Sequence, residues 1–82
     1  MLSKYVKERK AILGKLPDRT TSLGYTVIYT TDFGRHVCDE CAKEIEDDQY
    51  ETLEGYTSYE EGPSIECDEC GEMMESDYGE VK

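Results

Sequence analysis

The four cysteines of this 82-residue chain fall in two identical tetrapeptides, Cys38-Asp39-Glu40-Cys41 and Cys67-Asp68-Glu69-Cys70. Residues 42–66 lie between them, enough chain to double back and bring the four sulfurs together. Two pairs of equal internal spacing, with no cysteine left over, predict a shared metal site. Four thiolates from two short loops make the tetrahedral sulfur shell that a structural Zn²⁺ prefers, at about 2.3 Å per Zn–S bond. A closed shell of this kind leaves no coordination position for water, so one structural Zn²⁺ is expected on Cys38, Cys41, Cys67 and Cys70.

Length and composition explain why a metal is needed. A chain this short buries a modest share of its surface, and this one has no Trp, a single Phe and 35% charged residues. Small domains with so thin a core usually carry a disulfide or metal staple. The first residues, MLSKYVKERKAILGKL, lack the apolar block and cleavage site of a secretory signal. No window reaches the roughly 20 apolar residues of a membrane span. The expectation is a protein without membrane contact in a reducing cytoplasm, where thiols stay available to metal.

The net charge of −11 is unevenly distributed. Residues 1–35 carry seven Lys and Arg against three Asp and Glu, whereas residues 36–82 carry two against seventeen. Nucleic-acid binding relies on a concentrated basic footprint, so direct binding to phosphate backbones is disfavoured. A protein partner with a basic surface fits better. The oligomeric state is left open.

Along the chain, Leu2, Tyr5, Val6, Ile12, Leu13 and Leu16 fall near one helical stripe, with Lys4, Lys7, Glu8, Arg9 and Lys10 around the other face. The pattern predicts a basic amphipathic helix over 3–14, within an N-terminal segment 1–17, laid on the core. Ser3 is its cap, and Gly14 or Leu16-Pro17 its stop. Residues 25–31 are dense in β-branched and aromatic types and predict a strand. Asp32-Phe33-Gly34 predicts a turn, and Arg35-His36-Val37 a return strand that delivers the first cysteine pair. A short helical turn over 42–48 is anchored by Ile45. Two short β segments are expected at 50–53 and 56–59, joined around Gly55. Ser64-Ile65-Glu66 leads to the second pair, and Gly71 suits the positive φ that often comes after such a loop. The two loops predict knuckles related by an approximate two-fold axis. One domain, 1–82, results, with a zinc-binding β core over 25–71 and an acidic, partly mobile tail over 72–82.

Other chemistry is harder to place on these residues. A single iron could occupy the same four-sulfur cage, as in rubredoxin-like electron carriers. In those proteins a proline usually succeeds the first cysteine of the second loop, where this chain has Asp68. Thiol–disulfide catalysis is disfavoured because each pair encloses two acids, which oppose an extra negative charge. His36, the only histidine, is a candidate group behind the metal ligands. No serine has nucleophile-elbow context and no glycine-rich phosphate loop occurs, so no enzymatic role is expected. Tyr50, Tyr56 and Tyr59, with Glu60 and Glu61, are candidates for a partner-binding face, because tyrosine combines contact area with tolerance of water.

The two C-D-E-C loops resemble those of zinc-ribbon or two-knuckle zinc proteins. Over residues 36–79 the chain is similar to small zinc-binding proteins encoded by phages of actinobacteria, on Glu54-Gly55-Tyr56-Thr57, Glu61-Gly62-Pro63-Ser64-Ile65-Glu66 and Glu75-Ser76-Asp77-Tyr78-Gly79. The resemblance implies expression in a bacterial host and assigns no activity. The expectation is a small zinc-stabilised α+β domain, zinc-ribbon-like, with an N-terminal helix on short antiparallel strands. It is expected to act as a non-catalytic interaction module, a phage-encoded accessory or modulator. A minor structural component of a phage particle and an iron electron carrier are the alternatives.

Overall fold

A computed structural model describes residues 1–21 and 24–76. Helix α1 spans Lys4–Leu13. Its start is set by Ser3, whose hydroxyl accepts from the Val6 N–H, and its end by Gly14, whose φ of 80° lets the amide turn back to the Lys10 carbonyl. The stripe expected to face the core does so only in part. Val6 is fully buried and Leu13 half-buried, but Ile12 is 71% exposed. Tyr5 is exposed too and stacks on Tyr56, with ring centroids 5.9 Å apart. Leu16 and Pro17, beyond the helix, supply the burial that Tyr5 and Ile12 do not.

Strand β1 (Thr26–Thr31) pairs antiparallel with β2 (His36–Cys38) on one edge and β3 (Leu53–Tyr59) on the other, giving the order β2-β1-β3. The predicted hairpin is present, with Tyr29 opposite Val37 and Ile28 opposite Cys38. Alternation alone does not describe β1, because Val27, Ile28 and Tyr29 are all buried. The strand is covered on both faces. The two segments expected around Gly55 are one continuous strand: Gly55 pairs with Thr30, and the irregularity falls between Thr30 and Thr31. The chain start covers the other edge of β3. Leu2 bridges Leu53 in parallel, the Ser3 N–H donates to the Leu53 carbonyl at 3.0 Å, and the Leu53 N–H to the Met1 carbonyl at 2.8 Å. The Met1 ammonium donates to the carbonyls of Ile45, Asp48 and Glu51 at 2.7–2.9 Å.

Helix α2 (Asp39–Glu46) begins inside the first cysteine pair, earlier than the turn predicted over 42–48. Its inner face is Cys41, Ala42 and Ile45. Strands β4 (Ile65–Glu66) and β5 (Met73–Met74) form a separate two-stranded ladder. Within the segment 72–82, expected to be partly mobile, Met73–Met74 is paired and Met74 is buried. The rest of that expectation, residues 77–82, lies outside the described residues. The result is a small α+β fold with two helices and antiparallel strands, in which Tyr29, Leu53, Val6, Val27 and Val37 form the centre of a core that also takes in Cys38, Cys41 and Cys67. No helix among the described residues is long and apolar enough to cross a membrane.

Candidate metal centre

The four sulfurs converge, but from dissimilar supports. Cys38 ends β2 and is the residue from which α2 starts, so Cys41 is carried on the first helical turn. Asp39 and Glu40 occupy the same turn, where the helix dipole favours acids. Cys67 and Cys70 instead flank the tight turn between β4 and β5. In that turn the Gly71 N–H donates to the Cys67 carbonyl at 2.9 Å and the Cys67 N–H to the Glu72 carbonyl at 2.8 Å. Gly71 has the positive φ expected of it, 77°. The two tetrapeptides thus belong to different elements, the first opening α2 and the second the turn between β4 and β5. Both begin as one helical turn, since the Gly71 N–H reaches back four residues to the Cys67 carbonyl, but only the first continues as a helix, with Ala42 and Ile45 buried on the core.

The Sγ atoms of Cys38, Cys41, Cys67 and Cys70 all lie within 4.8 Å of one another. Cys38 and Cys70 are 3.9 Å apart, and Cys41 and Cys67 3.7 Å. A tetrahedron with metal–sulfur arms of about 2.3 Å has edges of about 3.8 Å. All four thiols are free, and these spacings are far beyond the roughly 2.05 Å of a disulfide. The cluster can hold a metal ion. Burial pushes the Cys38 and Cys41 thiols up from their ordinary value, Cys41 the more, so without a cation they hold their protons. Burial also acts on Cys67, but the N–H groups of Cys70, Cys38 and Glu69 outweigh it and bring that thiol down to about 7. One of these bonds, from the Cys38 N–H, spans 3.4 Å between the two loops.

A second tie between the loops has no signature in the sequence. Glu51 is buried, and its carboxylate receives the guanidinium of Arg35, with Nε to Oε2 at 2.9 Å. The same guanidinium reaches the second loop, meeting Glu69 at 2.7 Å and the Asp68 carbonyl at 3.4 Å. Arg35 is held well above its usual range by hydrogen bonds to Glu51 and then Glu69. Glu51 is held below its own by Arg35, against its burial. Alongside, the His36 N–H donates to Asp68 Oδ2 at 2.8 Å and the Asp68 N–H to the His36 carbonyl at 2.9 Å. His36 therefore docks the second loop through its backbone, while the residue is exposed and contributes no atom to the sulfur cluster.

The five residues considered for a partner face are not gathered into one. Tyr50, 82% exposed, precedes β3, whereas Tyr59, Glu60 and Glu61 lie at its far end, roughly 20 Å away along seven strand residues. Tyr56 is half-buried. Its ring tilts against Tyr29 with centroids 5.6 Å apart, and its hydroxyl accepts from Arg9 Nε at 3.1 Å. The Tyr59 hydroxyl donates to the Pro63 carbonyl. Glu60 and Glu61 are exposed.

Two clefts border these elements. One, of about 320 Å³, opens on the metal centre and is lined by Cys38, Cys41 and Cys70 together with glutamates of α2 and the second loop. The other, of about 380 Å³, lies between the end of α1 and α2 and contains no cysteine. There Lys10 pairs with Glu46, and Lys15 with Asp18 at 3.4 Å. Comparison with protein-family models, curated proteins and solved structures returned no match for this chain.

Proposed function

We propose that this chain is a non-catalytic, zinc-binding protein-interaction module of the zinc-ribbon type, a phage-encoded accessory or modulator acting inside a bacterial cell. The observation that carries the reading is the all-sulfur donor set within 4.8 Å, which combines soft ligands with tetrahedral spacing. A divalent ion in four thiolates has no open position at which to activate water or substrate, and that supports a structural ion. The ion carries folding energy, because the second loop has only two-residue strands of its own.

The partner is a protein with a basic surface. Residues 36–82 hold seventeen of the twenty acids, and a zinc–tetrathiolate adds two more negative charges to them. Such a surface steers cationic partners and repels nucleic acid. Native mass spectrometry of the protein purified without added metal tests the first claim: one zinc per chain is the expected mass. A red protein containing iron would replace zinc with the electron-carrier reading. Affinity capture from host lysate at rising salt tests the second. Recovered partners are expected to be basic and to be lost progressively as salt rises, and salt-independent capture would overturn it.

A further inference from the structure

The acids around the metal centre are placed in a way that the fold does not need. Glu40 and Glu44 are one turn apart on α2, and both line the 320 Å³ cleft together with Glu72 from the second loop. Like charges four apart on a helix destabilise it. The helix N-terminus accounts for Glu40, but Glu44 lies in the last turn, where the dipole opposes an acid. Among the described residues none of these three makes an ion pair, whereas Glu69, which also lines the cleft, is engaged by Arg35. Among the described residues, no Lys or Arg lines the cleft. At its base are sulfurs of the cluster, and Cys70 is the exposed donor while Cys38, Cys41 and Cys67 are buried.

We propose that this cleft is the route by which the metal ion reaches and leaves its site, with Glu40, Glu44 and Glu72 drawing in the hydrated divalent cation and Cys70 forming the accessible end of the sulfur cluster. The inference rests on the metal-binding reading above and adds that the ion exchanges with solution. Carboxylate and water oxygens suit a hydrated divalent ion, and thiolates hold it once its water is shed. A cleft lined by one sign of charge concentrates the opposite ion and speeds its arrival, by roughly ten- to a thousandfold in favourable cases. Three sulfurs fixed by strand, helix and core keep the binding geometry, so the exposed fourth can open without loss of the fold.

The test is stopped-flow exchange of Zn²⁺ into the folded, reduced, cobalt-loaded full chain, tracked by loss of the visible absorption that cobalt–thiolate coordination produces. The triple variant E40Q/E44Q/E72Q removes the cleft charges and leaves the Arg35–Glu69 contact in place. E8Q/D47N/E54Q removes the same net charge at exposed positions outside the cleft. The cleft variant is expected to exchange about tenfold more slowly than wild type at low salt and within about twofold of it in 0.5 M salt, from an unchanged starting spectrum. The control variant is expected to exchange at nearly the wild-type rate. Equal slowing of both variants, or of neither, would overturn the cleft as the route. If wild type develops no cobalt–thiolate spectrum at all, the metal reading itself fails and this inference with it.

Discussion

Strand β1 has six residues and a partner on each edge, whereas β4 and β5 have two residues each and, among the described residues, pair with one another alone. The first part of the molecule is an ordinary apolar assembly: α1 and α2 rest on the sheet, and Val6, Val27, Tyr29, Val37 and Leu53 are essentially inaccessible. Among the described residues the second contributes Cys67 and Met74 to that core, with Ile65 packed against it. It is tied instead by paired bonds between His36 and Asp68 and by the reach of Arg35, and its two cysteines complete the sulfur cluster. A chain this polar can still specify two substructures, by using apolar packing for one and, on the function proposed above, metal coordination for the other.

Removing the metal should separate these two parts most sharply. Structural zinc contributes about 10–16 kcal/mol in zinc-finger peptides, comparable to the whole stability of a small domain. Chelation of the reduced protein is therefore expected to leave the amides of residues 65–74 exchanging at unprotected rates and to abolish cooperative melting. Unchanged exchange and circular dichroism after chelation would break the comparison. The reciprocal change lies in the sheet. Leu53→Ala, at a fully buried position next to the chain start, should cost about 2–5 kcal/mol in urea unfolding while the loaded protein keeps a four-sulfur cobalt spectrum. Smaller again is the effect of the link between the parts. Glu51→Gln leaves Arg35 one buried partner short and should cost about 1–3 kcal/mol at neutral pH, less than for a wholly buried pair because Arg35 is partly exposed and keeps Glu69. Because Arg35 lowers the folded-state pKa of Glu51, the pair stabilises fully above the ordinary carboxylate value, and that contribution is lost as pH falls through the lowered one. The gap between wild type and the variant, read from urea midpoints at saturating metal, should therefore narrow on acidification.

The features legible in the sequence were local. Ser3 and Gly14 delimit α1 because a cap and a left-handed stop act on their own neighbours. The β1–β2 hairpin arises from a β-rich run and a tight turn, and the cysteine quartet from spacing. The misses have a common origin in tertiary choice. Tyr5 and Ile12 belong to the apolar period of α1, but the helix meets the sheet through Val6, and Tyr5 found Tyr56 instead. Gly55 reads as a break, yet pairing with Thr30 carries β3 straight through it. The same tetrapeptide opens a helix once and a hairpin turn once, and the helix continues where Ala42 and Ile45 bury themselves after the first copy. Arg35 and Glu51, sixteen positions apart, leave no periodic trace, and only the folded chain reveals that they join the two parts.

The aromatic stack turns the seam between helix and sheet into something that can be watched. The rings of Tyr29, Tyr56 and Tyr5 run from the sealed interior, where the Tyr29 hydroxyl donates to the Pro17 carbonyl at 2.5 Å, out to the open flank of α1. With no tryptophan in the chain, ultraviolet emission comes from tyrosine alone, and three of the seven fluorophores sit across that seam. Lifting the helix off the sheet would change their brightness together, so undocking of α1 can be timed without any attached dye.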